Sequence, residues 1–163
     1  MSPITNEVEK PDDATLILKR ELKATPELAF RAWTTPEHIQ QWMRPDPGMV
    51  VPLVKMDLRT GGKFRIQMKD PAGEFFTAVG EFREVKAPER LVYTWDWEKD
   101  GGGEAFREVE GKTSLITVEF LKRGTGTQFI MTHTRFAAKE SRDSHALGWG
   151  NAVDSLAKFL EKQ

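Results

Sequence analysis

Apolar residues recur along this chain with two different periods. From Val50 to Phe136 the period is two. Val54, Met56 and Leu58 alternate with Lys55, Asp57 and Arg59, and Phe64, Ile66 and Met68 alternate with Arg65, Gln67 and Lys69. Phe76, Ala78, Gly80 and Phe82 share one face of the next segment, whose small middle residues suit a close approach. Leu91, Tyr93, Trp95 and Trp97, then Ile116, Val118 and Phe120, then Phe129, Met131 and His133 continue the alternation. Turn signals at Gly61-Gly62, Asp70-Pro71-Ala72-Gly73, Pro88-Glu89 and Gly124-Thr125-Gly126 separate these runs. The spacing predicts an antiparallel meander, each strand with one apolar face. Thr15–Leu22 reads as an earlier strand, with its facing left open by three consecutive apolar residues.

The second period is helical. His145, Trp149, Ala152, Val153, Leu156, Phe159 and Leu160 recur at steps of three and four between Ser141 and Lys162. They form one apolar stripe, with Asp154, Lys158 and Glu161 outside it. Ser141 or Asp143 is the expected cap. Gly148 and Gly150 flank Trp149 although each costs about 1 kcal/mol against alanine in a helix, which points to close packing or open space there. Thr25-Pro26-Glu27 and Thr35-Pro36-Glu37 each place a capping hydroxyl before a helix-compatible proline and an acid. Two short helices are therefore expected, the second ended by Pro45 and Pro47. A sheet with one apolar face needs a cover, and the C-terminal helix supplies it. Residues 1–13 read as a flexible tail, and 14–163 as one domain.

Composition narrows the partners. The chain has 163 residues, 39% hydrophobic and 30% charged, with a net charge of −1 and no cysteine. Disulfides, thiol catalysis and cysteine-ligated zinc are excluded. Near-neutral charge without a basic run argues against nucleic acid. No segment reaches membrane-spanning length and no signal core is visible. Cytoplasmic location, no membrane insertion, no metal and no cofactor are the expectations.

Several candidate residues carry chemistry. His133 lies on the inward register, where it can orient a ligand, act as a base, or be a core histidine satisfied by a carbonyl or a tryptophan N–H. His145 opens the apolar side of the long helix, at the mouth of any pocket or as a surface or capping residue. His38 is expected to be exposed. Trp95 and Trp149 are expected as pocket walls, with Trp97 near the entrance and Trp33 in plain core. Arg20 points inward if Leu16 and Leu18 do, and then needs an acidic partner or an anionic ligand group. Asp57 and Arg59 read as a surface ion pair. The long Gly-rich segment from Lys99 to Lys112 carries one large apolar residue, Phe106, and reads as a lid or as a hairpin connection. Gly111-Lys112-Thr113 lacks the upstream glycine and following helix of a phosphate-binding loop.

Five segments together resemble a known family: TPELAFRAWTTPEHIQQWM, DLRTGGKF, GEFREVKAPERLVYTW, GTQFIMTHTRF and GWGNAVDSLAKFLE. In this order and spacing, over about residues 15–162, they are similar to the bacterial branch of the family named for activators of the heat-shock chaperone ATPase. That family lies within the START-like, or SRPBCC, superfamily. The resemblance implies an α+β helix-grip (Bet v-like) fold: a strand, two short helices, and a curved antiparallel sheet of about six to seven strands in all around a long C-terminal helix. It also implies a cavity for an apolar small molecule. The chaperone activators resemble this chain through one of two domains, so chaperone contact is not carried over.

The leading expectation is binding of a small hydrophobic or amphipathic ligand between sheet and helix. The residues expected to line the site are Met56, Ile66, Met68, Phe82, Tyr93, Trp95, Met131, His133, His145, Trp149 and Val153. The alternatives are a cyclase- or hydrolase-type enzyme with His133 as acid–base group and Tyr93 as its polar partner, and a chaperone-linked interaction module. Catalysis is not the favoured reading, and either a monomer or a homodimer fits.

Overall fold

A computed structural model describes residues 5–98 and 113–163; the Lys99–Lys112 segment with Phe106 lies outside them. Among the described residues, eight strands and three helices follow in order: β1 (Glu7–Asp12), β2 (Thr15–Leu22), α1 (Pro26–Thr34), α2 (Pro36–Trp42), β3 (Val50–Met56), β4 (Lys63–Lys69), β5 (Phe75–Lys86), β6 (Arg90–Trp97), β7 (Ser114–Arg123), β8 (Gly126–Thr134) and α3 (Lys139–Glu161). One antiparallel sheet runs β1-β2-β8-β7-β6-β5-β4-β3. The meander from β3 to β8 is as the alternation predicts, and β2 closes onto β8, pairing Leu18 with Met131 and Leu16 with His133. This is the helix-grip arrangement.

Alternation fixes the buried face. Leu16 and Leu18, Phe64, Ile66 and Met68, Tyr93 and Trp95, Ile116, Val118 and Phe120, and Phe129, Met131 and His133 are all buried. Against them α3 buries His145, Trp149, Ala152, Val153, Leu156 and Leu160. The first of the paired Thr-Pro-Glu signals caps α1 as expected, with the Thr25 hydroxyl accepting from the Leu28 N–H at 3.3 Å. The second works differently. Thr35 is also the C-cap of α1, and its hydroxyl donates back to the Arg31 carbonyl at 2.6 Å, so α2 begins without a side-chain cap.

Three expectations are corrected. Residues 7–12 are not a loose tail but strand β1, paired with β2 from Glu7–Lys19 to Asp12–Thr15. An edge strand exposed on both faces carries charges and Pro11 and has no apolar period to detect. The long helix starts at Lys139, not near Ser141, with Ala138 as its N-cap and no side-chain cap bond; Asp143 is held instead by Lys10 and Arg142, each at 2.9 Å. His38 is half-buried, its ring 5.2 Å from Phe159. The close approach expected at Gly80 is made by neighbouring strands: a Cβ there would lie 1.9 Å from the Thr94 carbonyl oxygen and 2.5 Å from the Phe64 ring.

Arg20 does point inward with Leu16 and Leu18, and the acidic partner is internal. Its guanidinium meets Asp154 of α3 at 2.7 Å and the Asn6 side-chain oxygen at 3.0 Å. Asp57 and Arg59 form the expected exposed pair at 2.8 Å.

Candidate functional site

The five tryptophans of the chain form one continuous row through the core. Ring centroids are 4.8 Å apart for Trp42–Trp33, 5.9 Å for Trp33–Trp149, 5.0 Å for Trp149–Trp95 and 5.6 Å for Trp95–Trp97. The row runs from α2 through α1 and α3 to β6. A buried indole needs an acceptor for its N–H, and four have one. Trp42 donates to the Ala32 carbonyl at 2.8 Å, Trp33 to the Tyr93 hydroxyl at 3.2 Å, Trp149 to His133 Nδ1 at 3.1 Å and Trp97 to His145 Nε2 at 3.2 Å. Trp95 is buried and its Nε1, itself closed off from solvent, has no acceptor among the described residues.

A cavity of about 430 Å³ opens at the Trp95–Trp97 end of the row. Its walls come from four places: Met43, Pro45, Asp46 and Met49 between α2 and β3; Met68 and Asp70 at the end of β4; Phe76, Trp95 and Trp97 on β5 and β6; and the first half of α3, including Ser144, His145, Leu147, Gly148, Trp149 and Asn151. The volume falls in the roughly 300–1,000 Å³ range of small-molecule sites. The lining is mostly aromatic and thioether surface. Gly148 explains part of the opening: a Cβ there would meet Pro45 Cβ at 3.3 Å, so the glycine keeps the helix close to the α2–β3 connection. Asn151 ties the same two elements by donating to the Pro45 carbonyl at 2.9 Å. Gly150 faces Asn6 instead, and neither helical glycine meets the sheet centre.

The expected site residues separate into three groups. Met68, Trp95, His145 and Trp149 line the larger cavity. Met56, Ile66, Phe82 and Tyr93 line a second space of about 20 Å³, near the size of one water, and Met43 and Trp95 border both. Met131, His133 and Val153 border neither space and are fully buried.

The two inward histidines are fully engaged. The Trp149 N–H can only donate, so His133 Nδ1 accepts and Nε2 carries the proton of a neutral ring. That Nε2–H donates to Ser114 Oγ at 2.7 Å, and Ser114 donates onward to the Trp95 carbonyl at 2.8 Å. Burial, and then the neighbouring His145, hold the His133 pKa well below the ordinary 6.5. Its roles as ligand-orienting group and acid–base catalyst therefore give way to that of a core histidine satisfied by a tryptophan N–H and a serine. Tyr93, the polar partner such catalysis would need, accepts from Trp33, and burial raises its phenol pKa. At His145 the Ser141 carbonyl can only accept, so Nδ1–H donates to it at 2.8 Å and Nε2 accepts from Trp97. His145 is buried at the cavity wall, not at the surface. Among the described residues no group of three or more His, Asp or Glu is placed to hold a metal.

Sequence reasoning missed Met43, Pro45, Asp46, Met49, Asp70, Phe76, Ser144, Leu147 and Asn151 as lining residues. The first five sit in or beside connections, where no hydrophobic period operates. Leu147 lies off the helix stripe and is 71% exposed at the mouth.

The sequence model of the family described as activator of Hsp90 ATPase homolog 1-like protein matches residues 23–161. No curated protein matches. Solved structures with the same fold include a Nitrosomonas europaea protein, 27% identical, with a TM-score of 0.75 over 94% of this chain and 97% of that one. A Rhodobacter sphaeroides protein is 22% identical, with a TM-score of 0.80 over 98% and 99% of the two chains. An AHSA1-like protein from Aeromonas hydrophila is 21% identical, with a TM-score of 0.72 over 91% and 92%.

Proposed function

The chain belongs to the activator of Hsp90 ATPase homolog 1-like family, and from that premise we propose that it binds a small apolar or amphipathic molecule in the cavity between β4–β6 and the first half of α3. The observation that carries the reading is the cavity itself: about 430 Å³ walled by Met43, Met68, Phe76, Trp95, Trp97 and Trp149. A ligand there gains about 25 cal/mol for each Å² of apolar surface it buries. Chemistry on the ligand is not part of the reading, because both inward histidines and Tyr93 are spent on internal hydrogen bonds.

Titration with Nile red, a neutral apolar dye, tests it. Binding with a blue-shifted emission is expected for the native chain, and weaker binding for Gly148→Leu, whose side chain enters the cavity beside Pro45. Absence of saturable dye binding to the folded chain, or equal binding by the variant, would overturn the reading.

A further inference from the structure

Among the described residues the charge lining the cavity is one-sided. Asp46 and Asp70 both line it, and no lysine or arginine does among the described residues. The two nearest cations in sequence are turned to other duties: Arg44 donates to the Met49 carbonyl at 2.9 Å, and the Lys69 ammonium lies 5.6 Å from the Phe75 ring centroid. Neither aspartate pairs with a cation among the described residues, and Asp70 uses one oxygen to accept the Glu74 N–H at 2.9 Å. Asp46 is exposed and Asp70 half-buried, and both residues border the cavity on which the aromatic side chains open. Trp95 and Trp97 stand in that wall, and indole faces attract organic cations. Carboxylates at a rim above an aromatic wall favour an ammonium group over a neutral or anionic one.

We infer that the ligand is a hydrophobic amine: an apolar or aromatic body buried against Trp95, Trp97 and Trp149, with a cationic nitrogen at the mouth between Asp46 and Asp70. The inference rests on the ligand-binding reading above and names the charge of what is bound.

Three ligands with one ring system and three charges separate the two claims: 2-naphthylmethylamine, 2-naphthylmethanol and 2-naphthoic acid, each competed against bound Nile red. The amine is expected to bind about tenfold more tightly than the alcohol at low salt, and the acid more weakly than both. The amine's advantage is expected to shrink as salt rises, because both carboxylates are within reach of solvent. Asp46→Asn with Asp70→Asn is expected to bring the amine down to the alcohol. The asparagine at position 70 retains the oxygen that accepts from Glu74, so the turn persists. Dye binding with equal affinity for amine and alcohol would overturn the amine inference and leave the ligand-binding reading standing. An amine preference that survives the double substitution would overturn it as well. No binding of any probe, dye included, would remove both.

Discussion

Acidification from about pH 8 to about pH 5 probes the buried hydrogen-bond chain through His133. The folded ring is neutral because Nδ1 faces the donating N–H of Trp149 and Nε2–H is given to Ser114. A second ring proton would point at another donor, inside a core with His145 at 5.2 Å. The unfolded chain has no such conflict and binds that proton near the ordinary value of 6.5. The folded value is depressed, so the unfolded state takes up more protons as the pH drops. The stability that His133 contributes is thus complete above about 6.5 and is lost below it. The slope approaches about 1.4 kcal/mol per pH unit. At about pH 5, some 1.5 units below the ordinary value, the loss is about 2 kcal/mol, or roughly 4–8 °C in Tm for a domain of this size.

Urea denaturation at a series of pH values measures this, with His133→Gln as the reference. Glutamine offers a donor and an acceptor but does not titrate, so the contributions of carboxylates and the other histidines cancel in the difference between the two proteins. The native protein is expected to lose its advantage over the variant progressively below about pH 6.5. Parallel curves would refute the reasoning. So would imidazole NMR signals showing His133 protonated on both nitrogens in the folded protein near pH 6.

Three further outcomes are expected. Trp149→Phe keeps a ring in the row but leaves His133 Nδ1 without a donor, costing about 1–3 kcal/mol by urea titration; an unchanged midpoint would show the bond to be dispensable. Gly80→Ala drives a methyl into the Thr94 carbonyl and the Phe64 ring, whereas at Gly150 the methyl meets only Asn6 Nδ2 at 3.7 Å. The first is expected to destabilise by at least about 2 kcal/mol, and Gly150→Ala to stabilise by up to about 1 kcal/mol; calorimetric Tm values of the two variants decide. Asp154→Ala removes the partner of a guanidinium whose side chain is only 12% exposed, and a loss of about 1 kcal/mol in denaturant, smaller at high salt, is expected.

Alternation and helical spacing tell which face of an element is buried, and they did so here for β4, β6, β7, β8 and α3. They carry no information about an element without an apolar face, which is why β1 went unseen: all six of its residues are exposed. Nor do they tell what a buried polar atom touches. The inward register of His133 was legible, but whether its nitrogens met a ligand or other side chains depended on Ser114 and Trp149, 19 and 16 residues away in sequence. The half of the cavity built on β6 and α3 was legible through Trp95, His145 and Trp149. The half built from Pro45 to Met49 and at Asp70 was not, because connections take their positions from what they join.

The polar groups in the core have a consequence for the cavity. Apolar walls alone gain free energy by approaching one another, so a space lined by tryptophan and methionine tends to fill itself. A hydrogen bond has a preferred length and direction and resists such movement. Three walls of this cavity are held by one: Trp149 by His133, Trp97 by His145, and α3 to the α2–β3 connection by Asn151. Behind them, Ser114 joins His133 to the backbone of Trp95, so the wall residues of α3 and β6 share one chain of bonds. Trp33, stacked 5.9 Å behind Trp149, blocks retreat in the other direction. Histidines that looked like chemistry in the sequence thus act as spacers, and what they keep open is the volume walled by Trp95, Trp97 and Trp149.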